Sequence, residues 1–217
     1  MLLLACNSEA QQTSLSVPEF EKAIHQKDVQ VLDVRTQAEY QSGHLPNVFL
    51  ANWNNKPEFT ERVASLDKSK PVYVYCLSGV RSANATAWLN ENGFKAYNLA
   101  GGINAWKKEN KPLEAAVAVK QISMEEYLAS IPTDKTVLVD VSAPWCPPCK
   151  AMEPVLQALK KEKGAAFTLL PFDGSAQTTL CKALQIDTFP TFILYKKGKP
   201  MWRKTGIVTL NEFKAAL

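Results

Sequence analysis

Two cysteines two residues apart, Cys146 and Cys149, stand in the run Trp145-Cys146-Pro147-Pro148-Cys149-Lys150. Their thiols can close one small disulfide ring. A helix starting at the second proline puts the first thiol at its N-terminus, where the positive end of the helix dipole stabilises thiolate and lowers its pKa. The chemistry on offer is thiol–disulfide exchange. A third candidate is Cys76, which ends the β-branched and aromatic run Pro71-Val72-Tyr73-Val74-Tyr75 and precedes Leu77-Ser78-Gly79-Val80-Arg81-Ser82. A tight loop between strand and helix turns its backbone amides inward, and the helix dipole adds to them. A thiol there has a depressed pKa, and Arg81 returns cationic charge to the rim. Such a loop suits a thiolate, a persulfide or a sulfur-bearing anion. The same position also suits a buried structural cysteine.

The rest of the chain bounds these sites. Its 217 residues, 46% apolar and 21% charged, fit one large or two small globular domains. Five cysteines (Cys6, Cys76, Cys146, Cys149, Cys181) are too few for a disulfide scaffold. The two histidines, His25 and His44, lie early, and the single close cysteine pair lacks a second ligand pair for zinc, so neither metal nor cofactor is expected. A net charge of +4 without a Lys/Arg run argues against nucleic acid and tolerates anionic small substrates. No segment is long and apolar enough to span a bilayer. The start, Leu3-Leu4-Ala5-Cys6, resembles a bacterial lipobox, which implies lipidation of Cys6 and a place in the cell envelope or periplasm. A secretory signal needs a basic start and an apolar run of about 7–15 residues, and only residues 1–5 precede Cys6. The alternatives are a truncated signal or a chance match in a cytoplasmic protein.

Strand and helix signals alternate. Ser16-Val17-Pro18-Glu19, Thr36-Gln37-Ala38-Glu39 and Ser123-Met124-Glu125-Glu126 read as capping boxes that open helices. Residues 29–34, 47–51, 71–75 and 95–99 read as strands, and 56–66 and the stretch from Cys76 to Asn92-Gly93 as helical. The first half is therefore α/β with a largely parallel sheet. Residues 109–120 read as a linker; the eleven from Glu109 to Val119, which have no clear period, span at most about 35 Å, which holds the halves close. The second half has strands at 136–141, 166–172, 191–195 and 201–205, the last two an antiparallel pair, with a long helix from the cysteine pair to Gly164 and a final helix over 209–217. The domains are thus 15–108 and 121–217, after a tether over 1–14.

Val31-Leu32-Asp33-Val34-Arg35, Glu39-Tyr40 and Gly43-His44-Leu45-Pro46-Asn47 resemble the N-terminal motif of the rhodanese family. Cys76-x-x-Gly79-x-Arg81-Ser82 is similar to its active-site loop, and Leu99-Ala100-Gly101-Gly102-Ile103-Asn104-Ala105-Trp106 to its C-terminal signature. The resemblance implies a sulfurtransferase working through a persulfide on Cys76, with Leu77, Ser78, Gly79, Val80 and Arg81 as the cradle. A small donor such as thiosulfate is implied, since the loop has the short sulfurtransferase form. Asp33 and Arg35 would brace the site, and His44 would be a structural donor.

Residues 121–217 resemble thioredoxin, through Asp140, the Trp145–Lys150 run, Phe189-Pro190-Thr191 and Gly206. The family pattern implies that Cys146 is the exposed attacking thiol and Cys149 the buried resolving one. Asp140 would be a buried carboxylate of raised pKa relaying a proton to Cys149. Pro190 would be the family's cis-proline, shaping a groove with Trp145 and Phe189; Trp145 is either a packing lid or a substrate contact. Pro147-Pro148 departs from the usual Gly-Pro and removes amide donors. Leu169 stands where many thioredoxins carry a lysine near the buried carboxylate. Cys181 reads as core.

Together these features point to a monomeric two-site enzyme: persulfide formation at Cys76 coupled to thiol–disulfide exchange at Cys146 and Cys149. Its partners would be a sulfur donor, a protein disulfide or persulfide, and an external thiol reductant. The alternative is an oxidoreductase acting on other proteins, with the first half an independent transferase or docking module.

Overall fold

The computed structural model describes residues 13–114 and 119–217; Cys6 and its neighbours lie outside them. The first half runs β1 (Ser14–Leu15), α1 (Val17–Ile24), β2 (Gln30–Asp33), α2 (Gln37–Gln41), β3 (Val48–Leu50), α3 (Lys56–Val63), β4 (Val72–Tyr75), α4 (Val80–Glu91), β5 (Ala96–Leu99) and α5 (Gly102–Lys108). Its sheet has the order β1-β5-β4-β2-β3 and is parallel throughout. Both faces of β2 and β4 are buried, which explains the apolar run of β4 and the Val31-Leu32 centre of β2.

The second half runs α6 (Met124–Ala129), β6 (Thr136–Ser142), α7 (Pro147–Lys163), β7 (Thr168–Asp173), α8 (Thr178–Ala183), β8 (Thr191–Lys196), β9 (Lys199–Thr205) and α9 (Leu210–Ala216). Its mixed sheet has the order β7-β6-β8-β9, with β8 antiparallel to both β6 and β9. Along β6 the side chains alternate. Val137, Val139 and Val141 join one cluster. Leu138 joins the other, with Met152, Leu156 and Leu159 of α7, so Asp140, two residues on, shares the face toward α7.

Capping boxes at Ser16, Thr36 and Ser123 open α1, α2 and α6, and Thr209 with Glu212 opens α9 in the same way. Two sequence expectations need correction. The tether ends earlier than expected, because Ser14 belongs to β1, which adds to β5 as a parallel edge strand; Thr13 already accepts a backbone bond from Asn98 at 2.6 Å. A two-residue strand carries no periodicity to read. The linker is also tied at both ends. Glu114 and His44 exchange two 2.8 Å backbone bonds, Trp106 Nε1 donates to Pro112 O, and Gln177 holds the backbone of Lys120 and Ile122. The step from Glu114 to Val119 spans at most about 18 Å, half the reach expected of the whole linker.

The halves are docked through Trp145. Leu50 N–H donates to Trp145 O at 2.8 Å. The buried indole lies beneath the Arg62 guanidinium (4.8 Å) and edge-on to Tyr40 (6.1 Å) and Phe189 (5.8 Å). Arg62 also donates to Leu50 O at 3.0 Å, so one side chain fixes both the strand end and the ring. Replacing Arg62 with Ala removes a buried, charged hydrogen bond of about 1.5–3 kcal/mol together with a cation–π contact. The expected outcome is at least tenfold faster hydrogen exchange of the Leu50 amide. Unchanged exchange would show that Arg62 does not hold the halves together.

Candidate active sites

Cys76 follows β4 directly and is fully buried. Gly79, at φ +93°, caps α4 and turns its amide back to Cys76 Sγ at 3.2 Å. Ser82 Oγ lies 3.3 Å from the same sulfur and 3.2 Å from Gly79 O, so its one proton serves either acceptor. Burial raises the thiol's pKa, but hydrogen bonds from Ser82 and the amides of Ser78 and Gly79 outweigh it and leave the thiol below its ordinary value. Leu77 and Val80 form an exposed apolar rim.

The loop keeps its shape by backbone packing against the Gly101-Gly102 turn. Ile103 N–H donates to Cys76 O at 2.8 Å and Asn104 N–H to Leu77 O at 3.1 Å. Gly102 has φ +59°, and a Cβ there would stand 2.4 Å from Cys76 O and 2.8 Å from Gly79 N. In the sequence Gly101-Gly102 is part of the C-terminal signature; in the fold Gly102 is the floor of the cradle.

Arg81 does not stand free at the rim. Its guanidinium makes a two-pronged pair with Glu39 at 2.9 and 2.6 Å. That pairing holds Glu39 down to about 2, against the opposing effect of partial burial. Behind the site, Arg35 grips Asp33 through Nε and Nη2, bonds Gly43 O at 2.8 Å and lies 5.5 Å from the Tyr75 ring. His44 is buried, stacked on Tyr40 at 3.8 Å with Nδ1 2.9 Å from Leu45 O, a structural position.

In the second half Cys146 and Cys149 are joined as a disulfide. The helix starts at Pro147, one residue earlier than expected, and Cys146 is its N-cap. Pro147 and Pro148 have no N–H, so the first amide available to the sulfur is that of Cys149, which donates to Cys146 Sγ at 3.2 Å. The expected exposure of the two thiols is reversed. Cys146 is 1% exposed, whereas Cys149 is only partly buried. Cys146 shares an apolar cluster with Tyr40, Leu50 and Trp145, and the docked first half takes up the carbonyl and ring of Trp145 next door; Trp145 is therefore a packing residue. Phe189-Pro190 is a cis peptide, and both residues are buried. Gly206 N–H donates to Pro190 O at 2.8 Å, and a Cβ on Gly206 would lie 3.7 Å from Glu61 Oε1 of α3. Thus α3 stands over the side of the groove where a substrate would lie, across a cavity of about 480 Å³ lined by Glu58, Glu61, Arg62, Pro148 and Phe189.

Asp140 and Cys149 line one cavity, behind the disulfide. Burial, with a smaller contribution from Glu153, pushes the Asp140 carboxyl up to about 6. Leu169, beside Leu138 in the sheet register, offers no cation to offset this. Cys181 is buried, its Sγ 3.4 Å from Gly174 O.

The sites share one end of the first sheet. Leu50, Asp33 and Tyr75 are direct neighbours across β3, β2 and β4. Strands in a sheet lie about 4.8 Å apart, so the strand end that holds Trp145 is about 10 Å from Tyr75, the residue before Cys76. Side chains bridge the same gap: Arg81 binds Glu39, and Tyr40 touches Trp145. Sequence reading missed Ser82, Arg62, Leu50 and Gly102 as site-forming residues. Ser82 and Gly102 stood inside the motifs, but Arg62 and Leu50 carried no signal, since their role depends on the other half.

Two outcomes follow from this geometry. Gly102→Ala forces a side chain into the cradle floor at positive φ, at a cost of about 1–3 kcal/mol. Urea unfolding should show the loss, and alkylation of Cys76 against pH should show its thiol moving up toward an ordinary value as the Gly79 amide is displaced. For Asp140 the folded pKa lies above the unfolded one, so its stabilising contribution is whole below about pH 4 and lost as pH rises through 6. Asp140→Asn should therefore be more stable than wild type by about 2 kcal/mol at pH 7.5, allowing for partial exposure, and no more stable at pH 3.5. Urea unfolding at the two pH values checks the sign.

Residues 16–109 match the family model described as Rhodanese-like domain, and residues 118–217 that described as Thioredoxin. Thioredoxin Y, chloroplastic, of Oryza sativa subsp. japonica is 38% identical over 90 residues, which cover 42% of this chain and 52% of that protein. This chain thus spans about half the length of that relative. Thioredoxin X, chloroplastic, of Arabidopsis thaliana is 29% identical over 158 residues, 71% of this chain and 84% of the relative. Thiosulfate sulfurtransferase GlpE of Coxiella burnetii (strain RSA 493 / Nine Mile phase I) is 34% identical over 93 residues, 42% of this chain and 84% of the relative. With a thiol cradle in the first half and a disulfide at a helix N-terminus in the second, the chain belongs to the rhodanese-like family over residues 16–109 and to the thioredoxin family over residues 118–217.

Proposed function

We propose that the protein is a coupled sulfur-transfer and redox enzyme, in which Cys76 forms a persulfide and the Cys146–Cys149 pair reduces it. The observation that carries this is the docking of Trp145 on Leu50, which brings the disulfide segment to the end of the sheet that bears Cys76. In the first step the Cys76 thiolate attacks the outer sulfur of a thiosulfate-type donor. The donor's S–S bond breaks and sulfite leaves with its electron pair. The amides of Ser78 and Gly79 and the Ser82 hydroxyl, which lower the thiol's pKa, also hold the thiolate when it is regenerated.

In the second step the reduced Cys146 thiolate attacks the terminal sulfur of the persulfide, and Cys76 leaves as thiolate. Cys149 then attacks Cys146 Sγ, hydrosulfide departs and the disulfide closes. Asp140, poised by burial near pH 6, is the base for the Cys149 proton. The linker keeps both sites on one body, where effective concentrations reach the millimolar range. An oxidoreductase acting on other proteins would need an open groove at Cys146, whereas Cys146 is 1% exposed and does not border the cavity beneath α3.

Single-turnover sulfide release from persulfide-loaded protein, without added thiol, tests the coupling. Reduced wild type should release about one sulfide per chain. Cys146→Ser should release less than a tenth as much. Equal release would contradict the coupling.

A further inference from the structure

Cys146 is buried, and the cavity beneath α3, lined by Glu58, Glu61, Arg62, Pro148 and Phe189, reaches neither cysteine, so the approach to the disulfide is from behind. A cavity of about 320 Å³ lies there, bordered by Asp140, Ser142, Pro144, Cys149, Glu153 and Asp173. Its size falls in the range of small-molecule sites, about 300–1,000 Å³. Cys146 also borders it but is 1% exposed, whereas Cys149 keeps a partly exposed surface.

Leaving-group chemistry favours the same sulfur. A thiolate that attacks one sulfur of a disulfide expels the other as thiolate, and the better-stabilised thiolate leaves faster. Cys146 Sγ is the one that accepts the Cys149 amide at the start of α7. Attack on Cys149 therefore expels a thiolate into a ready-made donor. The lining carries three carboxylates, Asp140, Glu153 and Asp173, against one cation, Lys150, which is already paired with Glu153 at 2.7 Å. That charge balance repels anionic thiols.

We propose that this cavity is the port through which an uncharged or cationic low-molecular-weight thiol re-reduces the pair, attacking Cys149 rather than Cys146. The inference rests on the reading of this pair as redox-active. In the step, the thiolate forms a bond to Cys149 Sγ, the Cys146–Cys149 bond breaks and its electron pair goes to Cys146. A second thiol of the same class attacks the thiol-derived sulfur of the mixed disulfide. It releases the small disulfide and returns Cys149 as thiolate. The enzyme then has two faces: Cys146 toward Cys76 and Cys149 toward the external reductant.

The test uses full-length, reduced Cys146→Ser and Cys149→Ser, each reacted with cystamine. Peptide mass mapping follows the rate at every cysteine, with buried Cys181 as internal reference. The expected result is that Cys149 reacts at least tenfold faster than Cys146, although the helix N-terminus favours the Cys146 thiolate. Arg62→Ala in the Cys149→Ser background should raise the Cys146 rate, because it loosens the cover. Dithiobis(ethanesulfonate), the anionic counterpart, should react with Cys149 at least threefold more slowly than cystamine does, relative to a free thiol. A Cys146 rate equal to or above that of Cys149 would overturn the port and leave the redox reading standing. If neither cysteine outpaces Cys181, both fall. Equal relative rates for the two reagents would overturn the charge preference and with it the assignment of the cavity.

Discussion

The packing of the two sites into one body depends on the seat of Trp145. Its carbonyl takes the amide of Leu50, its ring takes the Arg62 guanidinium, and Tyr40 and Phe189 close on its edges. A backbone bond of this kind fixes register, while the aromatic contacts exclude water from it. Trp145 immediately precedes Cys146, and Cys146 lies in the same apolar cluster as Tyr40 and Leu50, so the redox pair sits against the seam between the two halves.

The Cys76 cradle depends on a different constraint, close approach of backbone to backbone. The loop from Cys76 to Gly79 lies directly on Gly102, where there is no room for a side chain. That contact aims the Gly79 amide at the sulfur. Arg81 then carries the cradle's far side to Glu39 of α2, and the next residue, Tyr40, reaches Trp145. The two sulfur sites are therefore joined by a short series of packed and ion-paired side chains as well as by the linker.

Much of this was legible in the sequence. The alternation of strands and helices, the capping boxes at Ser16, Thr36 and Ser123, and the placement of Cys76 after a buried strand all rest on local pattern, and the fold has each of them. What local pattern cannot carry is a contact between distant segments. The relative exposure of Cys146 and Cys149 is inverted in the fold, where Cys146 joins an apolar cluster that includes Leu50, more than eighty residues away. The strand at Ser14 was missed because two residues show no period and gain their structure from β5. The proline pair sits between these cases: its loss of amides was readable, but the surviving donor from Cys149 to Cys146 needed the helix start to be placed.

The central claim is that sulfur passes between the two sites within one chain. The most direct measurement is the rate of sulfide release from reduced protein loaded with labelled sulfur at Cys76, followed across a hundredfold range of protein concentration. Transfer within the docked chain predicts a first-order rate constant independent of concentration, with a mixture of Cys76→Ser and Cys146→Ser far slower than wild type. A rate that rises in proportion to concentration, matched by the mixture, would contradict it.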